Sequence, residues 1–214
     1  VEYRMHVQPA VRRMRDLVDR GFIGDPAIVH ANDSQLLLEI NPDPDQWRLN
    51  PDLAGEGGSV TDLGVYCINT TRFVLDTDPV AVQGATWTGT DEFQSIPDER
   101  AGFTVEFPDG VIGSFTASQN AQHASSLRVI GTEGELLLED AFLGGERKLT
   151  VTRGDTTVTT EFDQVHETRE SFGYFADHVL TETPLVGDGE HGLVDQRTID
   201  AVYESAERGE RVEL

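Results

Sequence analysis

Three strand–turn–strand patterns follow one another in the second half of the chain. Each has two runs typical of strands on either side of a short turn that contains glycine: 102–107 with 111–118, 127–130 with 135–138, and 148–152 with 156–161. Glycine adopts positive φ without steric cost, which permits the tight reversal of a hairpin. Because a hairpin pairs antiparallel neighbours, the pattern predicts a mainly antiparallel sheet.

Apolar residues recur at helical spacing in the segments that flank the hairpins. One such segment starts at Pro9, which suits the first turn of a helix, a second follows Asp163, and a third covers residues 193–206. In the second segment five residues share one face, and we expect that face to be apolar: Phe172, Phe175, Ala176, Val179 and Leu180. These segments predict helices that pack against the sheet.

Further strands are expected in the first half of the chain. Residues 27–40 predict one long strand, residues 80–87 a shorter one, and the loose alternation of residues 1–7 a short strand at the start. With the hairpins and helices, the expected fold is α+β. It has an open, mainly antiparallel β-sheet with helices packed on one face, in a single domain that spans residues 1–214.

Composition limits the partners of such a domain. The chain carries 39 acidic residues against 16 Lys and Arg, a formal charge of −23, so phosphates of nucleic acid or anionic membrane would be repelled. The acidic residues are dispersed among apolar patterns, which indicates a folded surface that tolerates concentrated salt, although an ordinary acidic protein has the same composition. Because no run of 18 apolar residues and no signal peptide is visible, we expect a soluble cytoplasmic protein.

A glycine-rich turn at residues 55–58 leads into a predicted helix that ends near Leu75. Ser59 or Thr61 is expected to cap its free N–H groups. Asp62, Tyr66, Asn69 and Phe73 share one face of this helix, whereas Leu63, Cys67 and Val74 lie opposite, toward a core. A carboxylate one turn from a phenol can build a site. The same Asp is also favoured near a helix N-terminus by the helix dipole alone, and the spacing leaves both interpretations open.

Other site types lack their sequence signals. The six His residues are scattered without paired spacing, and the single cysteine, Cys67, excludes an intramolecular disulfide and a cysteine-based metal cluster. No Gly-x-Ser-x-Gly turn is present, and residues 55–58 have neither the Lys of a phosphate loop nor the Gly-x-Gly-x-x-Gly order. We therefore predict no metal site.

The stretch around this helix resembles the C-terminal domain of the Gfo/Idh/MocA oxidoreductases. Five ordered motifs carry the resemblance, which covers nearly the whole chain: residues 3–6 with Pro9, 45–49, 53–59, 62–73 and 188–195. Within that family the chain is most similar to glucose-fructose oxidoreductase and to the D-xylose 1-dehydrogenases of halophilic archaea. In the family the nicotinamide cofactor, NADP or NAD, sits mainly on an N-terminal Rossmann domain. These 214 residues do not contain such a domain, and residues 1–7 would be its last strand.

The resemblance implies hydride transfer between the nicotinamide and a sugar carbon. A Lys of the cofactor domain would share the site with Asp62, which would orient the substrate hydroxyl, and with Tyr66, the candidate acid or base. Arg4 and His6 would line the domain junction, and Asn69 would contact the sugar. His191 is expected to hold its loop in place rather than to carry a proton.

The loop residues Trp47 and Arg48 border the sugar site in relatives of this type. Trp47 would stack on a sugar face or, equally, anchor the loop in the core, and Arg48 would bond sugar hydroxyls. The expected function is the C-terminal substrate-binding and oligomerisation part of a nicotinamide-dependent sugar oxidoreductase, with an aldose such as xylose or glucose as substrate. By itself this part would be inactive and bind no cofactor. The alternative is a sugar-binding or protein-interaction domain without catalysis. We expect a homo-oligomer formed through the sheet face.

Overall fold

The computed structural model describes residues 1–55 and 57–214; Glu56, within the glycine-rich stretch, lies outside the described residues. In the described ranges nine strands form one sheet: β1 (Pro26–Leu36), β2 (Ala81–Trp87), β3 (Arg100–Glu106), β4 (Ile112–Ser118), β5 (Asn120–Gly131), β6 (Gly134–Glu139), β7 (Arg147–Arg153), β8 (Thr156–Phe162) and β9 (Val212–Glu213). Their order is β8-β7-β6-β5-β1-β4-β3-β2-β9, and within the described ranges only β1 and β4 pair in parallel. The sheet is open and mainly antiparallel, as predicted.

The helices are α1 (Pro9–Asp19), α2 (Leu37–Ile40), α3 (Pro51–Ala54), α4 (Val65–Leu75), α5 (Glu167–Thr181) and α6 (Gly189–Arg208). A π-helical turn, Val60–Gly64, leads into α4, and short 3₁₀ turns are formed by Arg4–Val7, Trp47–Leu49, Asp91–Phe93 and Pro108–Gly110. Helices α1, α4 and α6 pack on one face of the sheet, which confirms the α+β fold. Among the helices in the described ranges, none has the length and apolar character needed to cross a membrane.

The predicted hairpins are confirmed. In the first, β3 pairs with β4 across a turn in which Asp109 and Gly110 both adopt positive φ, 60° and 79°. The inward residues Phe103, Val105 and Phe115 of this pair are buried. The second and third hairpins pair β5 with β6 and β7 with β8. Local turn chemistry was sufficient to place all three.

The prediction of one strand over residues 27–40 was wrong at its end. Strand β1 stops at Leu36, and the next four residues form the helical turn α2. The backbone N–H of Leu37 donates to the carbonyl oxygen of Gln119 at 2.9 Å, and its side chain packs in a small cluster with Leu49 and Phe93. This contact turns the chain away from the sheet.

The start of the chain also differs from its prediction. Arg4–Val7 form a 3₁₀ turn and not a strand, with His6 N–H bonded to the Tyr3 carbonyl at 2.9 Å. Three consecutive residues, Met5, His6 and Val7, are buried. A strand would point every second side chain outward. The 3₁₀ turn instead buries all three side chains against α1 and α4.

Helix α5 presents an exposed apolar face. Its predicted cap, Asp163, is replaced by His166, whose Nδ1 accepts from the Arg169 N–H at 3.3 Å. None of the residues in α5 that the structure describes is buried, and the exposed side-chain fraction reaches 68% at Phe172 and 81% at Leu180. The apolar face that the sequence predicts therefore exists, but the described residues do not cover it.

A buried ion pair joins α4 to α6. Arg72, only 2% exposed, donates to Asp195, and its guanidinium also donates to the carbonyl oxygen of His191 at 2.9 Å. Asp195 further accepts from Asn69 Nδ2 at 2.8 Å and from the Tyr3 hydroxyl. One carboxylate thus holds two helices and the N-terminal segment together.

We expect Asp195→Asn to lower the free energy of unfolding by about 3–5 kcal/mol, because it removes the buried one of the two carboxylates that pair with Arg72 and leaves only the exposed Asp78. Urea denaturation measures this loss. Glu106→Gln, which breaks a pair with Arg211 whose side chains are about 40% exposed, is the control and should cost far less. Equal losses for the two variants would contradict a special role of the buried pair.

Candidate functional site

The site helix begins at a cap supplied from a distant part of the chain. The Asp98 carboxylate accepts from the Val60 N–H at 2.8 Å and from the Tyr203 hydroxyl at 2.8 Å. The predicted caps, Ser59 and Thr61, were wrong. Ser59 already has helical φ and ψ, and its hydroxyl instead donates to the Glu99 carbonyl oxygen at 2.8 Å. Burial raises the pKa of Asp98 to about 6, although these hydrogen bonds favour its charged form.

The two sides of the helix differ as predicted near its start, whereas Phe73, predicted on the face of Asp62 and Tyr66, is buried in the core. Leu63, Cys67 and Val74 are buried in the core, whereas Asp62 and Tyr66 are both partly exposed. The π-helical turn contains Asp62, and Tyr66 follows in the first turn of α4. Asn69 continues along the same face into the interior, where it is 3% exposed. This face links three clusters of polar side chains.

The first cluster surrounds Asp62. Arg48 Nε donates to Asp62 Oδ2 at 2.8 Å, and Gln119 Nε2 donates to the same oxygen at 2.7 Å. Among the described residues no side chain bonds to Oδ1, so this oxygen is available to a ligand hydroxyl. Sequence reasoning predicted Arg48 and Asp62 but missed Gln119, which is the first residue after β4 and gives no local signal.

Trp47 lies beside this cluster. Its ring is 49% exposed, and the Arg48 guanidinium carbon lies 4.4 Å from the ring centre. Leu49, at 4% exposure, anchors the loop in the core instead. Of the two alternatives for Trp47, the core anchor is therefore wrong, and stacking on a sugar face stays a prediction.

The second cluster joins Tyr66 to the N-terminal segment. Arg4 Nε donates to the Tyr66 hydroxyl oxygen at 3.0 Å, and the guanidinium carbon lies 4.4 Å from the ring centre. The same guanidinium donates to Glu167 at 2.8 Å and to the Phe142 carbonyl at 2.6 Å. Two further acceptors thus hold the guanidinium, a positive charge, against the phenolic oxygen.

The third cluster lies below the surface. Asn69 Nδ2 lies 3.1 Å from His191 Nε2 and is also bonded to Asp195, while His6 is stacked between Tyr3 and Phe73. Burial and the nearby His191 lower the pKa of His6 to about 3, so its ring is neutral at neutral pH. His6 of the N-terminal segment and Asn69 of α4 therefore both lie in the interior. The His191 N–H is held by Asp188 at 3.0 Å.

A second carboxyl near Asp62 was missed by sequence reasoning. Asp33 is on the inward side of β1 and is 3% exposed. Burial and the charge of Asp62 raise its pKa to about 7, although Arg4 opposes the shift. The signal was present, because Asp33 continues the period-two pattern of the buried Val29 and Ala31.

The cavity at Asp62 is small. It measures about 110 Å³ and is lined by the first cluster together with Gly57, Gly58 and Thr61. A larger groove of about 790 Å³ lies between α6 and Pro97, and none of the predicted site residues lines it. Within the described ranges, no three His, Cys, Asp or Glu side chains lie close enough to hold a metal ion.

Comparison with known proteins adds a family match. Residues 11–137 match the model of the GFO/IDH/MocA C-terminal domain. The chain is 48% identical to the D-xylose 1-dehydrogenase [NADP(+)] of Haloarcula marismortui, over 100% of this chain and 59% of that protein. It is 36% identical to the D-xylose 1-dehydrogenase (NADP(+)) 2 of Haloferax volcanii, over 99% and 62%. Its length is therefore about three fifths of the length of these relatives.

The fold is also found among solved structures. The aldose-aldose oxidoreductase from Caulobacter crescentus, complexed with glycerol, superposes with a TM-score of 0.91 and 26% identity. The superposition covers 99% of this chain and 62% of that one.

We expect Gly58→Ala to lower the free energy of unfolding by about 1–3 kcal/mol, because a Cβ atom would lie 2.4 Å from the Asp98 carbonyl oxygen and displace the start of the site helix. Gly173→Ala in α5 is the matched control. Its Cβ would meet nothing within 4 Å, so we expect a gain of about 0.5–1 kcal/mol from the better helix former. Chemical denaturation of both variants measures the difference, and a harmless Gly58→Ala would contradict the close approach.

Proposed function

The chain belongs to the GFO/IDH/MocA family of oxidoreductases, and we propose that it is the C-terminal, substrate-binding and oligomerisation part of a nicotinamide-dependent sugar oxidoreductase. The proposed substrate is an aldose such as xylose or glucose. The observation that carries the proposal is 48% identity, over all of this chain, to a D-xylose 1-dehydrogenase. The cluster around Asp62 and Tyr66 supports it.

The proposed roles follow from the available atoms. Asp62 Oδ2 is occupied by Arg48 and Gln119, which leaves Oδ1 to accept a sugar hydroxyl and orient it. Tyr66, beside the Arg4 guanidinium, would move the proton of the reacting hydroxyl. Trp47 would stack on the sugar ring. When bound, the cofactor, NADP or NAD, supplies hydride transfer.

The described residues do not fit the dinucleotide itself. A pyrophosphate is commonly held by free N–H groups at a helix N-terminus. At the start of the site helix, the Asp98 carboxylate already takes the Val60 N–H, and its negative charge would repel phosphate. We therefore place the cofactor mainly on another part of the protein, a Rossmann domain that precedes this chain.

Two surfaces support such a neighbour. The cavity of about 110 Å³ at Asp62 is smaller than the roughly 300–1,000 Å³ of common ligand pockets, so another wall would complete it. The second surface is the exposed face of α5. It borders an apolar groove of about 280 Å³, which is lined by Phe172, Phe175 and Val186 together with the N-terminal segment. Exposed apolar patches mark interfaces.

The proposal includes a homo-oligomer formed through the open face of the sheet. Apolar side chains on two neighbouring strands support it, since Ile28 of β1 and Ile112 of β4, which pair with each other on the open face, are 43% and 51% exposed. The charge of −23 supports work in the cytoplasm of a halophile, where concentrated salt screens repulsion between acidic surfaces.

We expect Tyr66→Phe in the full-length protein to lower kcat about 100-fold, because it removes a positioned proton-transfer group. Aldose-dependent reduction of NADP, followed by absorbance, measures kcat. Tyr174→Phe is the control, since this tyrosine bonds to the Val186 N–H at 3.1 Å, away from the site. Near-normal turnover of Tyr66→Phe would remove Tyr66 from the mechanism.

We expect titration of NADP into residues 1–214 alone to give no binding tighter than about 1 mM, because the helix N-terminus that could hold a phosphate is already capped. Isothermal titration calorimetry measures this, with the full-length protein as the positive control. Micromolar affinity for the isolated chain would contradict the placement of the cofactor. A full-length protein that binds aldose without turnover would favour a sugar-binding domain without catalysis.

A further inference from the structure

We propose that Gln35 is a positioning residue of the sugar site, which acts through Gln119 to hold the Asp62 carboxylate in place. The assignment rests on the proposed function, because it concerns the carboxylate that would orient a sugar hydroxyl. It is carried by a chain of two hydrogen bonds and by the pairing of the two strands that end at the site. No motif that indicated the family includes either glutamine.

Two hydrogen bonds connect Gln35 to Asp62. Gln35 Nε2 donates to Gln119 Oε1 at 2.7 Å, and Gln119 Nε2 donates to Asp62 Oδ2 at 2.7 Å. Gln119 and Asp62 both line the cavity of about 110 Å³, whereas Gln35 is not one of its lining residues. Gln35 therefore acts on a ligand in this cavity through Gln119 and not by direct contact.

The sheet places the two glutamines side by side. Strands β1 and β4 run parallel, and their last pair joins Ser34 to Ser118. Gln35 and Gln119 each follow that pair by one residue, so a continuation of the same register makes them neighbours. The pairing of β1 with β5 shifts register at the same point, between Ser34 and Leu36. Irregularities of this kind re-aim side chains next to functional sites.

The backbone of Gln119 is fixed on both sides. Its N–H donates to the Glu99 carbonyl oxygen at 3.0 Å, and its carbonyl oxygen accepts from the Leu37 N–H at 2.9 Å. The residue is only 1% exposed, so its amide depends on protein partners for its hydrogen bonds. These backbone contacts do not decide which end of the side-chain amide points to Asp62.

The chemistry of the partners allows one orientation of the Gln119 amide. A carboxylate accepts hydrogen bonds and donates none, so Asp62 requires the Nε2 end. The Oε1 end then needs a donor on its other side, and Gln35 Nε2 supplies it. Donation into Oε1 also polarises the amide and strengthens its bond to Asp62. With Oδ2 held by Gln119 and Arg48, Oδ1 stays available to a sugar hydroxyl.

The test is Gln35→Glu in the full-length protein, with Gln35→Lys as the variant that keeps a donor. The introduced carboxylate only accepts and would bind the Nε2 end of Gln119 in place of Asp62, whereas the introduced ammonium only donates and keeps the amide as it is. We expect Gln35→Glu to lower kcat/KM for D-xylose about tenfold, mainly through KM, and Gln35→Lys to change it less than about threefold. KM for NADP should stay unchanged in both variants.

Two further variants separate this path from a general effect of charge. Gln83→Glu in β2 makes the same change at an exposed position of a strand, and it should keep the kcat/KM of the unchanged protein. In the Asp62→Asn background the introduced amide can donate to a reversed Gln119. Gln35→Glu should therefore cost less than about twofold there, because the two changes act on one hydrogen-bond chain.

A glutamine needed only for its volume would give a different pattern. Equal losses in Gln35→Glu and Gln35→Lys overturn the assignment, and so does an undiminished loss in the Asp62→Asn background. Calorimetric titration of the full-length variants with D-xylose separates the assignment from the proposed reaction. Weaker binding by Gln35→Glu than by Gln35→Lys supports it even if the unchanged protein transfers no hydride, whereas equal binding by the two overturns it even if turnover is normal.

Discussion

The hydrogen bonds of one buried carboxylate, Asp98, position the start of the helix that carries Asp62 and Tyr66. By accepting from the Val60 N–H it sets the start of the π-helical turn, and by accepting from the Tyr203 hydroxyl it ties that start to α6. Ser59 lies directly before the same turn. Its hydroxyl donates to the Glu99 carbonyl oxygen, just before β3, and accepts from the Gln119 N–H, just after β4, at 3.0 Å. The position of Asp62 is therefore determined by long-range contacts, and a helix that capped itself would have no fixed relation to the sheet.

Two carboxyl groups of the same chemical type have different environments in the site. Asp62 shares one oxygen with Arg48 and Gln119 and is partly exposed, whereas Asp33 is buried, lacks a side-chain partner among the described residues and has its pKa raised to about 7. Arg4 connects Asp33 to the second cluster instead, because its charge lowers the pKa of Asp33 through space while its guanidinium is bonded to Tyr66.

Two neighbouring features of the described surface, near the N-terminal segment, are typical of an interface with another domain. The exposed face of α5 borders the groove beside the N-terminal segment, and Glu167, the first residue of α5, bonds to Arg4 at 2.8 Å. A neighbour packed on α5 would therefore also contact the segment that holds Tyr66. A second domain in this position would complete the cavity and order the candidate catalytic residues. The same arrangement requires an apolar helix face on this chain.

The sequence alone determined the features that depend on local periodicity and turn chemistry. Spacings of two to four residues predict the three hairpins and the buried side of α4. They also place Asp62 and Tyr66 together on the other side of that helix, and ordered motifs indicated the family. The tertiary structure alone decided the parallel pairing of β1 with β4, the cap from Asp98, the bond from Gln119 to Asp62, the burial of Asp33 and the exposure of α5. These depend on residues 38 to 84 positions apart, or on surfaces that only the folded chain defines, and a local pattern carries no information about which distant group each residue will contact.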